Sequence, residues 1–360
     1  MDSLNEAISL LQQLISTPSF SNEEDEAAGI WERWLKEKGV ENVGRFHNNI
    51  YALSSRFDAG KPILMLNSHI DTVKPVASYT RDPFTPAIED GRLYGLGSND
   101  AGGAGVALAM TFLKYKDDAG LPFNLLLALT ASEERMGEFG MRAFLPHLKE
   151  KGLYPSMAIV GEPTGCDAAK AERGLVVCDA EVTGVAGHAA RDTGVNAIYR
   201  ALDDIGIIRN KRWDKKSDVL GDIRATVTMI DAGTQHNIIP DKCRYVVDIR
   251  TTDAYSNEET VSMLQQSLKW SRLTPRSTRI RASVLSRNHP LASAAQKAGL
   301  NLFISPTTSD MAVMHDFPSI KIGPGKSERS HTADEYIEIN ELKRGLETYQ
   351  NLIKILSDCL

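Results

Sequence analysis

Four short, mainly apolar runs, at 63–66, 125–129, 157–160 and 320–322, break up an otherwise mixed chain, the last with Lys321 at its centre. A continuous run of that length reads as a strand buried on both faces, the habit of a parallel or mixed sheet covered by helices. The covering helices have their own signature. Leu4, Ile8, Leu11 and Ile15 keep helical spacing, and Ser21-Asn-Glu-Glu predicts the cap of a second helix whose Ala28, Trp31 and Leu35 face inward before Gly39 ends it. Further helical stretches at about 103–116 and 139–150 separate the first three strands.

Between 172 and 286 the pattern changes to alternation. Val176, Cys178, Ala180 and Val182 share one face of a strand. A helix over 196–210, strands over 224–231 and 243–252, a helix over 256–272 and a last strand over 279–285 follow. The order β-α-β-β-α-β is the split βαβ, ferredoxin-like arrangement. The predicted fold class is therefore α/β: a mixed, mostly parallel sheet covered by helices, formed by 1–171 and 287–360, with an inserted α+β ferredoxin-like domain at 172–286 suited to act as a lid or an oligomerisation element.

Composition narrows the function classes. A chain of 360 residues exceeds one ordinary core, which agrees with two domains. Its net charge of -6, with both signs interspersed, argues against nucleic acid as a partner. No apolar run approaches the roughly 20 residues that span a bilayer. The opening Met1-Asp-Ser-Leu-Asn-Glu is acidic where a secretory signal is basic, so the expected location is cytoplasmic. Cys166, Cys178, Cys243 and Cys359 contain no Cys-x-x-Cys pair, so they predict buried or incidental thiols, not a disulfide framework or a thiolate zinc site.

Chemistry collects where the apolar runs stop. The first ends in His69-Ile-Asp71, a histidine with a carboxylate one residue beyond its neighbour. An imidazole binds a cation through one nitrogen, and a partner accepting the other N–H fixes its tautomer. The second run leads to Glu133-Glu134, the third to Glu162, and the fourth is followed by His331. Parallel strands place such endings in one crevice beyond their carboxyl ends. Asp100 lies in Gly95-Leu-Gly-Ser-Asn-Asp100-Ala-Gly-Gly, a glycine-dense turn where backbone can approach a ligand, or simply a polar turn capping a helix. No dinucleotide fingerprint, Walker loop or nucleophile elbow is complete. His69, Asp100, Glu134, Glu162 and His331 form a two-histidine, three-carboxylate set that suits two cations sharing a carboxylate, with Glu133 left over as a general acid/base.

These residues stand in Ser68-His-Ile-Asp-Thr, Gly97-Ser-Asn-Asp100, Ser132-Glu-Glu134, Gly161-Glu162-Pro and Ser330-His331-Thr-Ala-Asp, and so spaced the sequence resembles the di-zinc M20 metallopeptidase and deacylase family, which includes acetylornithine deacetylase and succinyl-diaminopimelate desuccinylase. The resemblance implies two Zn2+, with Co2+ or Mn2+ as possible substitutes. It implies that Asp100 bridges, that His69 and Glu162 complete one metal and Glu134 and His331 the other, that Glu133 is the base, and that Asp71 orients His69. It further implies that His188, in Gly187-His-Ala-Ala, reaches the active site of a partner subunit to stabilise the oxyanion, and that the protein is a homodimer through the inserted domain. Arg173, Asn237 and Arg250 match its substrate-binding elements, an arginine fork being matched to a carboxylate. Where many members carry a lysine two residues after the bridging aspartate, this chain has Ala101-Gly102-Gly103. The expected reaction is hydrolysis of an N-acyl amino acid. The Gly323-Pro-Gly turn and the 330–336 segment look most like the acetylornithine branch; N-acetyl-citrulline deacetylation, desuccinylation, peptide hydrolysis and a non-catalytic metal-bound role are the alternatives.

Overall fold

In the computed structural model, residues 3–191 and 193–360 are described; Met1 and Asp2, with which the acidic opening stretch begins, lie outside them. The chain forms two compact units, one made of 1–170, 285–304 and 309–360, the other of 171–284 and 305–308.

The first unit opens with α1 (Ser3–Ile15) and α2 (Asp25–Glu37), followed by β1 (Val43–Phe46), β2 (Asn49–Leu53), β3 (Ile63–His69), β4 (Ala87–Glu89), β5 (Arg92–Tyr94), α3 (Gly103–Tyr115), β6 (Asn124–Thr130), α4 (Met141–Glu150) and β7 (Met157–Val160). The boundary between units falls inside β8 (Ala168–Glu172). The second unit contributes β9 (Gly174–Thr183), β10 (Gly187–His188), α5 (Ala197–Asn210), β11 (Arg224–Ala232), β12 (Ile238–Ile239), β13 (Lys242–Thr251), α6 (Asn257–Ser267), β14 (Arg272–Pro275) and β15 (Ser283–Val284). The chain then closes with α7 (Pro290–Lys297), β16 (Leu302–Ser305), β17 (Ser319–Lys321), β18 (Tyr336–Glu338) and α8 (Ile339–Ser357).

In the main sheet, strands run in the order β1-β2-β6-β3-β7-β17-β8, and the central four, β6, β3, β7 and β17, are mutually parallel. The apolar runs of β3, β6 and β7 follow from burial on both sides, and β17, equally buried, carries Ile320 between Ser319 and Lys321. Leu64 and Leu66 of β3 join the core under α1, α2, α3 and α8, while Ile63 and Met65 join the core against Phe144 and Leu148 of α4. Burying each such side chain contributes about 1.5–3 kcal/mol. Helix α3 is buried from Gly103 to Phe112, so its sequence lacks a polar face.

The second unit has strand order β11-β13-β9-β14, all antiparallel neighbours, which is the ferredoxin-like order. Val176, Cys178, Ala180 and Val182 lie in its core with Ala197, Ala201 and Leu264 of the two helices.

Three local readings are corrected. Ser21 does not cap α2; its N-cap is Glu24, and the Ser21 hydroxyl instead donates to Asp71 Oδ2 at 2.7 Å. Helix α6 stops at Ser267, short of 272, because the Asp204 carboxylate on α5 accepts the backbone N–H groups of Lys269 and Trp270 at 2.8 and 2.9 Å and that of Ser271 at 2.6 Å. The last strand of the module is consequently Arg272–Pro275, and 279–285 supplies only a bridge at Ile280 and the two-residue β15.

A candidate two-metal centre

Because β3, β6 and β7 are parallel and in register, their carboxyl ends lie on one edge. His69 is the last residue of β3, Glu133 and Glu134 follow β6 by three and four residues, and Glu162 follows β7 by two. His331 arrives differently from the sequence expectation. It is ten residues past β17, in a turn at φ 60°, and is carried to the site by β18, whose Tyr336 pairs with Tyr94 of β5. The same pairing sets Asp100, in the turn between β5 and α3, beside it.

The five side chains form two overlapping triads, His69 with Asp100 and Glu162, and Asp100 with Glu134 and His331, each with its ligand atoms within 4.8 Å of one another. Asp100 belongs to both. Its Oδ1 lies 3.2 Å from His69 Nε2 and its Oδ2 lies 3.8 Å from His331 Nε2. Glu162 Oε1 is 3.8 Å from His69 Nε2, and Glu134 Oε2 is 2.9 Å from His331 Nε2. Each triad thus offers one imidazole nitrogen and two carboxylates, a donor set matched to a borderline divalent cation.

The electrostatics express the crowding of anionic groups around two imidazoles. Burial alone would lower the pKa of His69, but hydrogen bonds to Asp100 and Asp71 and the charge of Glu162 outweigh it and hold the group well above its usual range. His331 is pushed up to about 9, chiefly by its hydrogen bond to Glu134. Glu162 is raised to about 8 by burial, with Asp100 and Glu134 adding repulsion. Glu133 is raised well above an ordinary carboxylate, again by burial first, then by Glu162, Asp310 and Glu134.

Asp71 does more than face His69. The imidazole Nδ1 is 2.8 Å from the Asp71 carbonyl oxygen, with the carboxylate Oδ1 farther away at 3.5 Å. The fully buried carboxylate accepts the backbone N–H groups of Glu133 at 3.0 Å and Glu134 at 3.2 Å. Two residues escaped the sequence reading. The buried Glu335 carboxylate accepts the backbone N–H groups of Gly97, Asn99 and Asp100 at 3.0, 2.8 and 2.9 Å, so it cups the Asp100 turn. Asp310, also buried, accepts the Thr130 hydroxyl at 2.7 Å at the end of β6. A carboxylate used to gather backbone donors leaves no spacing signal; the only hint was the adjacency of Glu335 to the His331 motif.

The other expected residues fall in the second unit. His188 is exposed on β10, its Nδ1 accepting the Ala190 N–H at 3.1 Å, and β10 pairs with β12 so that the Asn237 carbonyl accepts the Ala189 N–H at 2.9 Å. Arg250 forks onto Asp248 at 2.8 and 3.1 Å. Arg173 donates to the Asp222 carbonyl at 2.8 Å and to that of Leu220.

The model of peptidase family M20/M25/M40 matches residues 65–355, a span that contains all five residues of the two triads. The chain belongs to this family. Among curated relatives, a succinyl-diaminopimelate desuccinylase of Xylella fastidiosa (strain 9a5c) is 27% identical, over 99% of this chain and 100% of the relative. One from Wolbachia pipientis wMel is 26% identical, over 96% and 92%. Among solved structures, aminopeptidase PepT from Bacillus cereus aligns with TM-score 0.76 at 18% identity, covering 98% of each chain. The Bacillus subtilis YXEP protein, described as a dinuclear metal binding M20 peptidase, aligns with TM-score 0.74 at 16% identity, covering 99% of each. The M20 chain described here is accordingly a metal-dependent hydrolase with the fold of those proteins.

Proposed function

We propose that this M20 hydrolase cleaves the amide of an N-acyl amino acid, with N-acetyl-ornithine, in arginine biosynthesis, as the first substrate to test. The observation that carries the chemistry is the sharing of Asp100, one oxygen toward His69 and the other toward His331. His69, Asp100, Glu162, Glu134 and His331 would hold two divalent cations, zinc in the first instance, which would lower the pKa of a water and polarise a carbonyl. Glu133, buried beside the five ligands and not one of them, takes the proton from the attacking water and returns it to the departing amine. Burial suits it to that exchange, since a raised pKa brings a carboxylate nearer to neutral pH. A metal-bound scaffold without catalysis would have no use for this sixth group.

A second reading has its own support: the relatives at 26–27% identity are named desuccinylases, so an N-succinyl amino acid is the competing substrate. Amine release from N-acetyl-ornithine, N-acetyl-citrulline, N-succinyl-ornithine, N-succinyl-diaminopimelate and dipeptides, with chelator-stripped protein with and without zinc, decides between them. Zinc-dependent turnover of N-acetyl-ornithine supports the first reading, preference for a succinyl amide replaces it with the second, and silence across the panel with metal bound removes both.

A further inference from the structure

The turn that carries Glu133 and Glu134 is held by a second buried carboxylate, from a part of the chain with no assigned role. Glu24, at the N-cap of α2, is 1% exposed. Its Oε1 accepts the Ser132 backbone N–H at 3.0 Å and the Ser132 hydroxyl at 2.9 Å, and also the Asn22 N–H at 2.7 Å. Its Oε2 accepts the Asn48 side-chain amide at 2.9 Å, and Asn48 is itself held by Arg45 at 2.8 Å. The carboxylate is therefore clamped on both oxygens before it reaches the turn.

What it grips is a residue that resists its own conformation. Ser132 has φ 55°, in the left-handed region that a non-glycine residue adopts only when its surroundings impose it. Directly after it, Asp71 takes the N–H groups of Glu133 and Glu134. Directly before it, the Asn49 side-chain oxygen takes the N–H of Ala131 at 3.0 Å. Four consecutive backbone donors, 131 to 134, are thus bound by side chains from elsewhere in the first unit, and Glu24 supplies the one at the bend. Rotation at Ser132 would swing the Glu133 side chain relative to the ligands, where a misplacement of about 1 Å reduces a rate on the order of 100-fold.

We propose that Glu24 is a positioning residue for the proton-transferring Glu133, acting through Ser132. The proposal rests on the reading of Glu133 as the acid/base. The hydrogen bonds of the Glu24 carboxylate go to Asn22, Asn48 and Ser132, none of them a residue of the two triads, and through Ser132 it sets the backbone from which Glu133 projects.

The test uses the full-length, zinc-loaded protein and the best N-acyl substrate of the panel. Glu24→Ala is expected to keep both zinc equivalents, to lower kcat at least 10-fold with KM within about 2-fold, and to raise amide hydrogen exchange in the segment 131–137. Glu24→Gln, whose carbonyl still accepts the three bonds at Oε1 and which loses only the one from Asn48 at Oε2, is expected to recover kcat to within about 3-fold of the parent. A folded, zinc-replete Glu24→Ala protein with parental kcat overturns the proposal, as does a kcat loss that is fully explained by lost zinc. If Glu24→Ala does not fold, Ser132→Ala, which deletes only the hydroxyl contacts, is expected to lower kcat about 5-fold, and unchanged kcat there overturns it. Glu133→Gln, run in parallel, separates the two ideas: an active Glu133→Gln protein removes the underlying assignment, whatever Glu24→Ala does.

Discussion

At the residue scale, this site divides its carboxylates into those that face an imidazole and those that face backbone. Asp100, Glu134 and Glu162 present oxygens to imidazoles, whereas Asp71 and Glu335 spend theirs on the N–H groups of the turns that carry the ligands. The two classes should fail differently when altered. Glu133→Gln is isosteric and leaves every ligand in place, so zinc stoichiometry should stay at the parental value while kcat falls by about 10²–10⁴, the range for a lost general acid/base; kinetics on metal-quantified protein checks both halves. Glu335→Ala leaves the ligands and the base intact but frees three N–H groups under Asp100. Zinc affinity should fall about 10–100-fold, as for other supports of metal ligands, and competition with a chromogenic chelator measures it.

At the element scale, the positions of turns and strand ends depend on a few side-chain contacts and close approaches. In the second unit Asp204 ends α6 by taking three backbone N–H groups and the Ser271 hydroxyl at 2.6 Å. Burial pushes its pKa up, but these donors outweigh burial and hold it below the ordinary value. A carboxylate whose folded pKa is depressed stabilises the fold above its unfolded pKa, roughly 3.9, and that contribution disappears as pH falls through the folded value. Asp204→Ala should therefore destabilise the protein by about 2–4 kcal/mol near neutrality, and the gap from the parent should narrow in thermal unfolding below about pH 4. In the first unit Gly323 follows β17 so closely against the Glu162 backbone that an added Cβ would lie 2.5 Å from the Glu162 carbonyl oxygen. Gly323→Ala should displace that ligand and weaken zinc binding, with the same chelator competition as readout.

At the scale of the whole molecule, bound metal acts on stability by mass action. A ligand present at 1,000 times its Kd adds about 4 kcal/mol to whatever state it binds. Chelator treatment should lower Tm by on the order of 10 °C and zinc should restore it; calorimetry with stripped and reloaded protein checks this. The second unit carries the proposal of a homodimer. Its β11 is an edge strand with Met229 and Ile230 more than half exposed, apolar groups beside unpaired backbone donors and acceptors. Sedimentation should give a dimer, and Ile230→Lys should shift it toward monomer; a concentration-independent monomer in the parent would remove the dimer. Among the described residues no helix is long and apolar enough to cross a membrane.

The sequence by itself determined the central four strands of the main sheet, because residues buried on both faces are mostly apolar, and it singled out the five residues of the two triads, because a metal-binding reading needs particular donor types beyond such runs. It also carried the ferredoxin-like module, since alternation records a sheet with one covered face. Its errors share a cause. The end of α6 was misplaced because it depends on Asp204, more than 60 residues away, and Ser21 was read as a cap because its partner Asp71 lies 50 residues on. Only the tertiary structure decided that β18 brings His331 and Glu335 to the Asp100 turn, and that Glu24 and Asp71 hold the turn carrying Glu133. A carboxylate that binds backbone N–H groups selects its target by position in space and not by residue type, so neither partner records the contact in the sequence.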